Sequence, residues 1–149
     1  MEPAPASLLC RVRDLLCALP LAHVGETMRP LEVERLAGAP AFVSGVAVVR
    51  GRPTPVVDAA LLICGEPSNP ARYVTLCPGD RPVMLAVDEV MGLVSLPGGL
   101  EPLPSLMRTE RVAAVAATGA LDGALLVVLD AGRVVPAEAW AALSPERRS

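Results

Sequence analysis

Prolines and glycines interrupt this chain so often that they leave little room for long helices. The 149 residues include 16 Pro and 12 Gly, and these residues seldom lie more than ten positions apart. Because proline breaks helices and strand interiors and glycine favours turns, this spacing is typical of short strands joined by tight turns. The sequence therefore predicts an all-β protein.

The apolar runs between the turns define the individual strands. Proline at positions 53 and 55 removes two backbone donors, so the strand that contains them is expected to be an edge or bulged strand. A short helix is predicted over residues 136–143, where Pro136 starts an alanine-rich segment. The predicted strands are residues 7–12, 15–19, 24–28, 46–50, 54–58, 72–77, 82–87, 89–96, 113–121 and 124–130.

The composition argues against several classes of protein. Hydrophobic residues make up 52% of the chain and charged residues 19%, which is typical of an ordered globular domain. A chain of this length buries about two thirds of its unfolded surface without metals or disulfides. It has one Phe, one Tyr and one Trp and a net charge of -3, so a nucleic-acid-binding module is not expected.

The hydropathy of the chain is high, with a mean of +0.49. The longest stretch without charge, residues 36–49, has 14 residues and includes a proline and two glycines. A membrane-spanning helix needs about 20 apolar residues. The first residues lack the basic region of a signal peptide, so we expect a cytoplasmic protein.

The cysteines do not have the spacing of a metal site. Cys10, Cys17, Cys64 and Cys77 contain no C-x-x-C pair, and His23 is the one histidine of the sequence. We therefore expect no metal, no cofactor and no catalytic residue, and we interpret the cysteines as small buried hydrophobes. A thiol-based redox sensor or enzyme remains a remote alternative.

The histidine has an acidic neighbour, which raises the question of acid–base chemistry. His23 lies three positions before Glu26, but no serine or cysteine nucleophile shares a local motif with them. We interpret this pair as a partly exposed structural contact. Asp88 and Glu89 are interpreted as a solvated junction between two strands.

A weak repeat suggests two related halves. Gly51 precedes Asp58 by seven residues and Gly123 precedes Asp130 by the same number, and the two units lie 72 residues apart. Each acid follows a strand and precedes small residues, so we expect helix caps or turn contacts rather than paired catalytic carboxylates.

Arg50 is the most conspicuous polar residue of the stretch 38–58. It lies beside Gly51 at the end of an apolar strand, where a β-protein can present a charge to a partner. From this position alone, the residue is equally typical of a solvated strand end.

Several segments, in order over residues 7–135, resemble the CheW-like domain, the adaptor of bacterial chemotaxis arrays. They are Leu16-Cys17-Ala18-Leu19-Pro20-Leu21, Val24-Gly25-Glu26, Ala39-Pro40-Ala41-Phe42-Val43-Ser44-Gly45-Val46, Val48-Val49-Arg50-Gly51, Pro55-Val56-Val57-Asp58, Leu85-Ala86-Val87-Asp88-Glu89-Val90, Gly92-Leu93-Val94-Ser95-Leu96 and Ala120-Leu121-Asp122-Gly123.

The resemblance implies an all-β fold of two SH3-like five-stranded β-barrels with short connecting helices and a short C-terminal helix. We expect one domain over residues 7–143, with subdomains 7–65 and 71–135 whose ends can exchange between the barrels. It also implies a non-enzymatic adaptor that couples the cytoplasmic tip of chemoreceptors to the regulatory domain of a CheA-type histidine kinase. Such an adaptor reaches the membrane through receptors only.

The resemblance further implies a set of partner-binding positions. Two departures from the family pattern are Val48 in place of the usual Asn and Ala114 in place of the usual Gly. They favour an alternative function, in which a divergent family member binds receptors without recruiting the kinase and so insulates the arrays. The implied partner-binding residues are Arg50, Gly51, Glu26, Val24, Gly45 and Val90.

Overall fold

The computed structural model describes residues 6–102, 114–135 and 140, and this part of the chain is mostly strand and turn, which confirms the all-β prediction. Its strands are β1 (Ala6–Val12), β2 (Leu15–Pro20), β3 (Val24–Met28), β4 (Val43–Val49), β5 (Arg52–Asp58), β6 (Arg72–Leu76), β7 (Val83–Val87), β8 (Glu89–Ser95), β9 (Val115–Leu121) and β10 (Ala124–Leu129).

The helices of the described residues are short. They are α1 (Ala59–Cys64) and two 3-10 turns, Leu21–His23 and Ala131–Arg133. None of them is long and apolar enough to cross a membrane. The helix predicted over residues 136–143 lies outside the described residues, apart from Trp140.

The strands form two five-stranded sheets. The order β3-β6-β7-β5-β4 makes the first barrel, and the order β8-β1-β2-β10-β9 makes the second. The first barrel therefore uses residues 24–87, whereas the second takes β1 and β2 from the start of the chain and β8 to β10 from its second half. Residues 65–71, where the sequence suggested a boundary, connect two elements of the first barrel.

The first barrel is a rolled sheet whose opposite edges meet. Its edge strands are β3 and β4, yet Glu26 on β3 contacts Arg50 at the end of β4, with 2.7 Å between Oε2 and Nη2. The outer edge of β4 is covered by Glu34, whose backbone exchanges two 2.8 Å hydrogen bonds with Val46. Covering the edge in this way removes a surface that could pair with another chain.

The two barrels repeat one pattern, as the sequence predicted. β5 lies parallel to β7 and antiparallel to β4, and β10 has the same relation to β2 and β9. The turns that follow β4 and β9 also match. Arg50 and Gly51 have φ angles of 51° and 78°, and Asp122 and Gly123 have 51° and 81°. Two successive positive φ angles are required by the type I′ turns that suit twisted hairpins.

The two repeated aspartates are caps, as predicted. Asp58 Oδ1 accepts hydrogen bonds from the backbone N–H groups of Ala60 and Leu61 at the start of α1. Asp130 Oδ1 accepts one from the N–H of Gly132. Such caps satisfy donors that the first helical turn leaves free.

The two sheets share one hydrophobic core. Leu19 and Leu129 come from the second barrel and Leu85 from the first, and all three are buried members of one cluster. Burying one such side chain contributes about 2 kcal/mol, so a shared cluster of many buried side chains stabilises both barrels together. Buried members of this core are Leu8, Cys10, Val12, Cys17, Leu19, Val115, Val127 and Leu129 from one sheet and Val43, Val57, Val74, Leu76, Val83, Leu85 and Val87 from the other.

The first barrel also has a small interior of its own. It consists of Ala47, Val56, Tyr73, Met84 and Ala86. Phe42 is partly buried and packs against the shared core, and it is not a member of this interior.

The prediction of an edge or bulged strand at the two prolines is wrong, because the strand is internal and the register shift in its pairing with β4 lies between Val43 and Gly45 of β4. β5 lies between β4 and β7. Its pairing with β7 covers only Val56, Val57 and Asp58, whereas Pro53 and Pro55 lie opposite β4 alone. The missing N–H groups cost nothing there, because no strand of the sheet lies on their other side.

The four cysteines differ in exposure. Cys10 and Cys17 face each other across β1 and β2 and are buried, Cys64 is partly exposed, and Cys77 is exposed. The expectation of a buried Cys77 is wrong because β6 ends one residue earlier, at Leu76. Burial raises the pKa of the Cys10 thiol to about 12 and the pKa of Cys17 well above its ordinary value. Reactive thiolates are therefore not expected at these two positions.

This arrangement predicts the order in which the cysteines react with an alkylating reagent. In the native protein, Cys77 should be labelled first and Cys64 more slowly, whereas Cys10 and Cys17 should react only when the core opens. Peptide mass spectrometry after short pulses of iodoacetamide measures this order. Rapid labelling of Cys17 in the folded protein would contradict the described core.

Candidate functional site

Arg50 lies in the left-handed turn that ends β4, and this turn projects its side chain away from the core. Its Nε lies 3.0 Å from Glu26 Oε1, and its Nη2 lies 2.7 Å from Oε2. Two parallel bonds of this kind hold a guanidinium in one plane. The Arg50 side chain is nevertheless 78% exposed.

The pair changes the titration of both groups in the expected directions. The hydrogen bond from Arg50 lowers the pKa of the Glu26 carboxyl, and the bond to Glu26 raises the pKa of Arg50. Exposed ion pairs contribute little to stability, because water screens them. We therefore interpret the pair as fixing the direction of the Arg50 side chain.

The structure corrects the interpretation of the Glu26 neighbourhood. Glu26 pairs with Arg50, not with His23. The Nδ1 atom of His23 is buried without a hydrogen-bond partner among the described residues, and its backbone carbonyl accepts a bond from Cys77 N. The Arg50–Glu26 contact depends on the rolling of the sheet, which the sequence pattern does not report.

An exposed apolar side chain lies beside this ion pair. Val48, two residues before Arg50 on β4, is 68% exposed and lies opposite Pro53 of β5. We define the Arg50 end as Glu26, Val48, Arg50, Gly51 and Pro53. It combines an apolar area with an oriented cation, which is the composition of many protein-binding surfaces.

The two predicted glycines have different roles. Gly51 has a φ of 78°, and a Cβ added to it would meet nothing within 4 Å. Gly45 has a φ of 147°, and its Cβ would lie 2.0 Å from the carbonyl oxygen of Glu34. Gly51 is thus a surface turn residue, whereas Gly45 allows the segment around Glu34 to cover β4.

Val24 and Val90 occupy equivalent positions in the two barrels. Val24 on β3 pairs with Leu76 of β6, and Val90 on β8 pairs with Cys10 of β1. Both valines are partly buried and pack against the shared core. The structure therefore places them at the margin of the core.

Val90 also lines a cleft between the two barrels. This inter-barrel cleft has a volume of about 460 Å³, and its other walls include Arg29 and Arg72 from the first barrel and Glu89 from the second. It therefore has an apolar residue between charges of both signs.

Asp88 is a structural residue that the sequence interpretation missed. Its side chain is 11% exposed, and its Oδ2 accepts a 2.9 Å hydrogen bond from Arg13 N and lies 3.5 Å from Arg11 Nη1. These contacts tie the β1–β2 hairpin to the junction of β7 and β8. The interpretation of Asp88 as solvated is wrong because the hairpin folds over it from a position distant in sequence.

No described residues form a group of three or more His, Cys, Asp or Glu side chains that could hold a metal ion. The surface features of the described residues are an oriented cation, a neighbouring apolar side chain and a cleft between the barrels.

Comparison with known proteins identifies the family and the fold of this chain. Residues 6–139 match the family model of the CheW-like domain. Among solved structures, the scaffolding protein TtCheW from Thermoanaerobacter tengcongensis superposes with a TM-score of 0.70 at 19% sequence identity. The match covers 87% of this chain and 90% of that protein, and it shows the same fold.

The glycine geometry predicts a contrast between two alanine variants. Gly45→Ala should lower the free energy of unfolding by about 3 kcal/mol or more, because the new methyl group meets backbone and cannot be accommodated by a rotamer change. Gly51→Ala should lower the free energy of unfolding by about 1 kcal/mol, because alanine is strained in the left-handed backbone conformation even where its methyl group meets no other atom. Urea unfolding of both variants measures the difference, and equal losses would contradict the close approach of Glu34.

Proposed function

The chain belongs to the CheW-like domain family of non-enzymatic chemotaxis scaffolds, and from this premise we propose that it couples chemoreceptors to a CheA-type histidine kinase. It would act in the cytoplasm and reach the membrane through receptors. The observation that supports this proposal best is the Arg50 end, an exposed cation held in one direction beside an exposed valine.

The Arg50 side chain retains hydrogen-bonding capacity for a partner. A guanidinium has five N–H donors, and Glu26 accepts from two of its nitrogens. The remaining donors face solvent and can reach a carboxylate or backbone carbonyl of a docked protein. Because Glu26 already fixes the side chain, little conformational entropy is lost when a partner binds.

The equivalent turn of the second barrel carries the opposite charge. Asp122 takes the place of Arg50, and the nearby Leu125 is 53% exposed. Ends of unlike charge on one molecule suit heterologous contacts, in which one kind of end meets the other kind on a partner. In our proposal that partner is the regulatory domain of the kinase. The family resemblance implies that this kinase domain has the same double-barrel fold.

The receptor would bind at the inter-barrel cleft. A helix that carries apolar residues along one face can place them against Val90, while Arg29, Arg72 and Glu89 contact its polar residues. Val24, at the equivalent margin of the first barrel, would extend this apolar contact.

A second candidate function is an insulator that binds receptors without recruiting the kinase. It is favoured by Val48, whose exposed isopropyl group replaces the hydrogen-bonding asparagine usual in the family. The two functions give opposite results when the protein is added to receptor and kinase. A coupler raises kinase autophosphorylation, whereas an insulator lowers it by competition.

Charge reversal at the Arg50 end tests the proposed coupling. We expect Arg50→Glu to weaken binding to receptor-bearing membranes or to the kinase by about 30-fold or more, since losing a charged interfacial contact costs about 2 kcal/mol or more. Co-sedimentation and titration calorimetry measure these affinities. Arg35→Glu, the same charge change at an exposed site near the other end of β4, is the matched control and should bind normally.

A charge-swapped double variant separates partner contact from barrel closure. Glu26→Arg with Arg50→Glu restores an ion pair between β3 and β4 but presents the reversed charge. Binding should stay weak in this variant while its unfolding curve returns to that of the wild type. Full recovery of binding would show that the pair acts only within the barrel and would overturn the proposed contact.

A further inference from the structure

A second cleft lies at the end of the first barrel opposite to Arg50. It has a volume of about 610 Å³ and lies between the segment of residues 33–44, β5, α1 and β6. Val33, Leu36, Pro40, Val43 and Leu61 supply apolar walls. A cleft of this size with a few polar groups among apolar walls is typical of a small-ligand site.

The cleft contains a carboxylate with an unused oxygen. Asp58 is 7% exposed, and its Oδ1 caps α1, but Oδ2 receives no hydrogen bond from the described residues. Burial raises the pKa of this carboxyl, and no cation of the described residues lies within ion-pair distance of it.

The second barrel shows what Asp58 lacks. Its equivalent, Asp130, uses Oδ1 as a cap in the same way, while its Oδ2 lies 3.6 Å from Nε of Arg133. The residue at the place of Arg133 in the first barrel is Leu61, an apolar wall of the cleft. One repeated aspartate therefore has a cation of its own chain within ion-pair distance, and the other faces a cleft in which no cation of the described residues lies that close to it.

Two further oxygen atoms belong to residues that line this cleft. Tyr73 is 6% exposed, and among the described residues its hydroxyl donates no hydrogen bond. Burial raises the pKa of the Tyr73 phenol, and the nearby Asp58 raises it further. Ser44 contributes a hydroxyl from β4.

We propose that this cleft binds a primary ammonium group on an aliphatic stem, the chemistry shared by a free alkylamine and by the lysine side chain of another protein. The apolar walls contact the stem. Asp58 Oδ2 accepts one of the three N–H donors of the ammonium, and the hydroxyls of Tyr73 and Ser44 accept the others. The inference is independent of the proposed coupling to receptors and kinase.

A compact ammonium fits this site better than a guanidinium. Because helix capping occupies Asp58 Oδ1, only Oδ2 is free to accept a hydrogen bond. The two parallel N–H donors of a guanidinium need two carboxylate oxygens, whereas one N–H donor of an ammonium needs a single oxygen. Arg35 at the wall of the cleft is exposed, so the ammonium must enter beside a solvated cation. The 149-residue sequence contains no lysine, so a lysine occupant comes from another molecule.

Chemical-shift titration of the full, ¹⁵N-labelled chain tests the proposal with n-pentylammonium as the probe. Saturable shifts are expected at Ser44, Asp58 and Tyr73. The affinity for the neutral analogue 1-pentanol should be lower by about tenfold or more. Asp58→Asn keeps a good helix cap but removes the charge, and it should lower the affinity for the amine by about tenfold or more. Asp130→Asn, the matched change in the other barrel, should leave the affinity unchanged.

The same titration distinguishes the two sources of the ligand. A peptide with one central lysine that binds as tightly as pentylammonium, and loses binding when the lysine is acetylated, supports a protein partner. Binding of the free amine alone supports a small molecule. Equal binding of pentanol and pentylammonium, unchanged affinity in a folded Asp58→Asn variant, or no saturable shift would each overturn the proposal.

Discussion

The hydrophobic core that the two sheets share is the interaction on which the rest of this structure depends. Leu19 from β2 and Leu85 from β7 are fully buried in the same cluster. Each barrel therefore needs the other to shield these apolar side chains from water. The connectivity of the chain also links the two barrels, because β1 and β2 precede the strands of the first barrel but belong to the second. The Arg50 end and the inter-barrel cleft are thereby held at a fixed separation, as a scaffold requires.

The repeat gives the molecule two similar frames that carry different side chains. The same turn geometry holds Arg50 in one barrel and Asp122 in the other. The same aspartate cap faces Leu61 in one barrel and Arg133 in the other. Backbone geometry sets where these groups lie, and single side chains set what each end can bind. Two unlike surfaces on one frame are what heterologous assembly needs.

The sequence pattern predicts local structure well, but it does not predict contacts between residues that are distant in sequence. The spacing of prolines and glycines located all ten described strands, and the repeat of Gly51–Asp58 indicated the caps. The pattern predicted β5 as an edge or bulged strand, and it is neither. An edge is defined by which strands pair, whereas Pro53 and Pro55 show only that two backbone donors are missing. The Arg50–Glu26 pair and the burial of Asp88 depend on the rolling of the sheet and on a distant hairpin. The family resemblance, by contrast, selected Arg50 and Glu26 together without knowledge of their contact.

Native-state hydrogen exchange tests the central claim, that one core makes the two barrels a single cooperative unit. The slowest amides of β2 and β7, the middle strands of the two sheets, should open with the same free energy. Leu85→Ala should lower that free energy by about 2–5 kcal/mol in both strands, although Leu85 belongs to the first barrel alone. Loss of protection in β7 with unchanged protection in β2 would contradict the claim and would show two barrels that unfold independently.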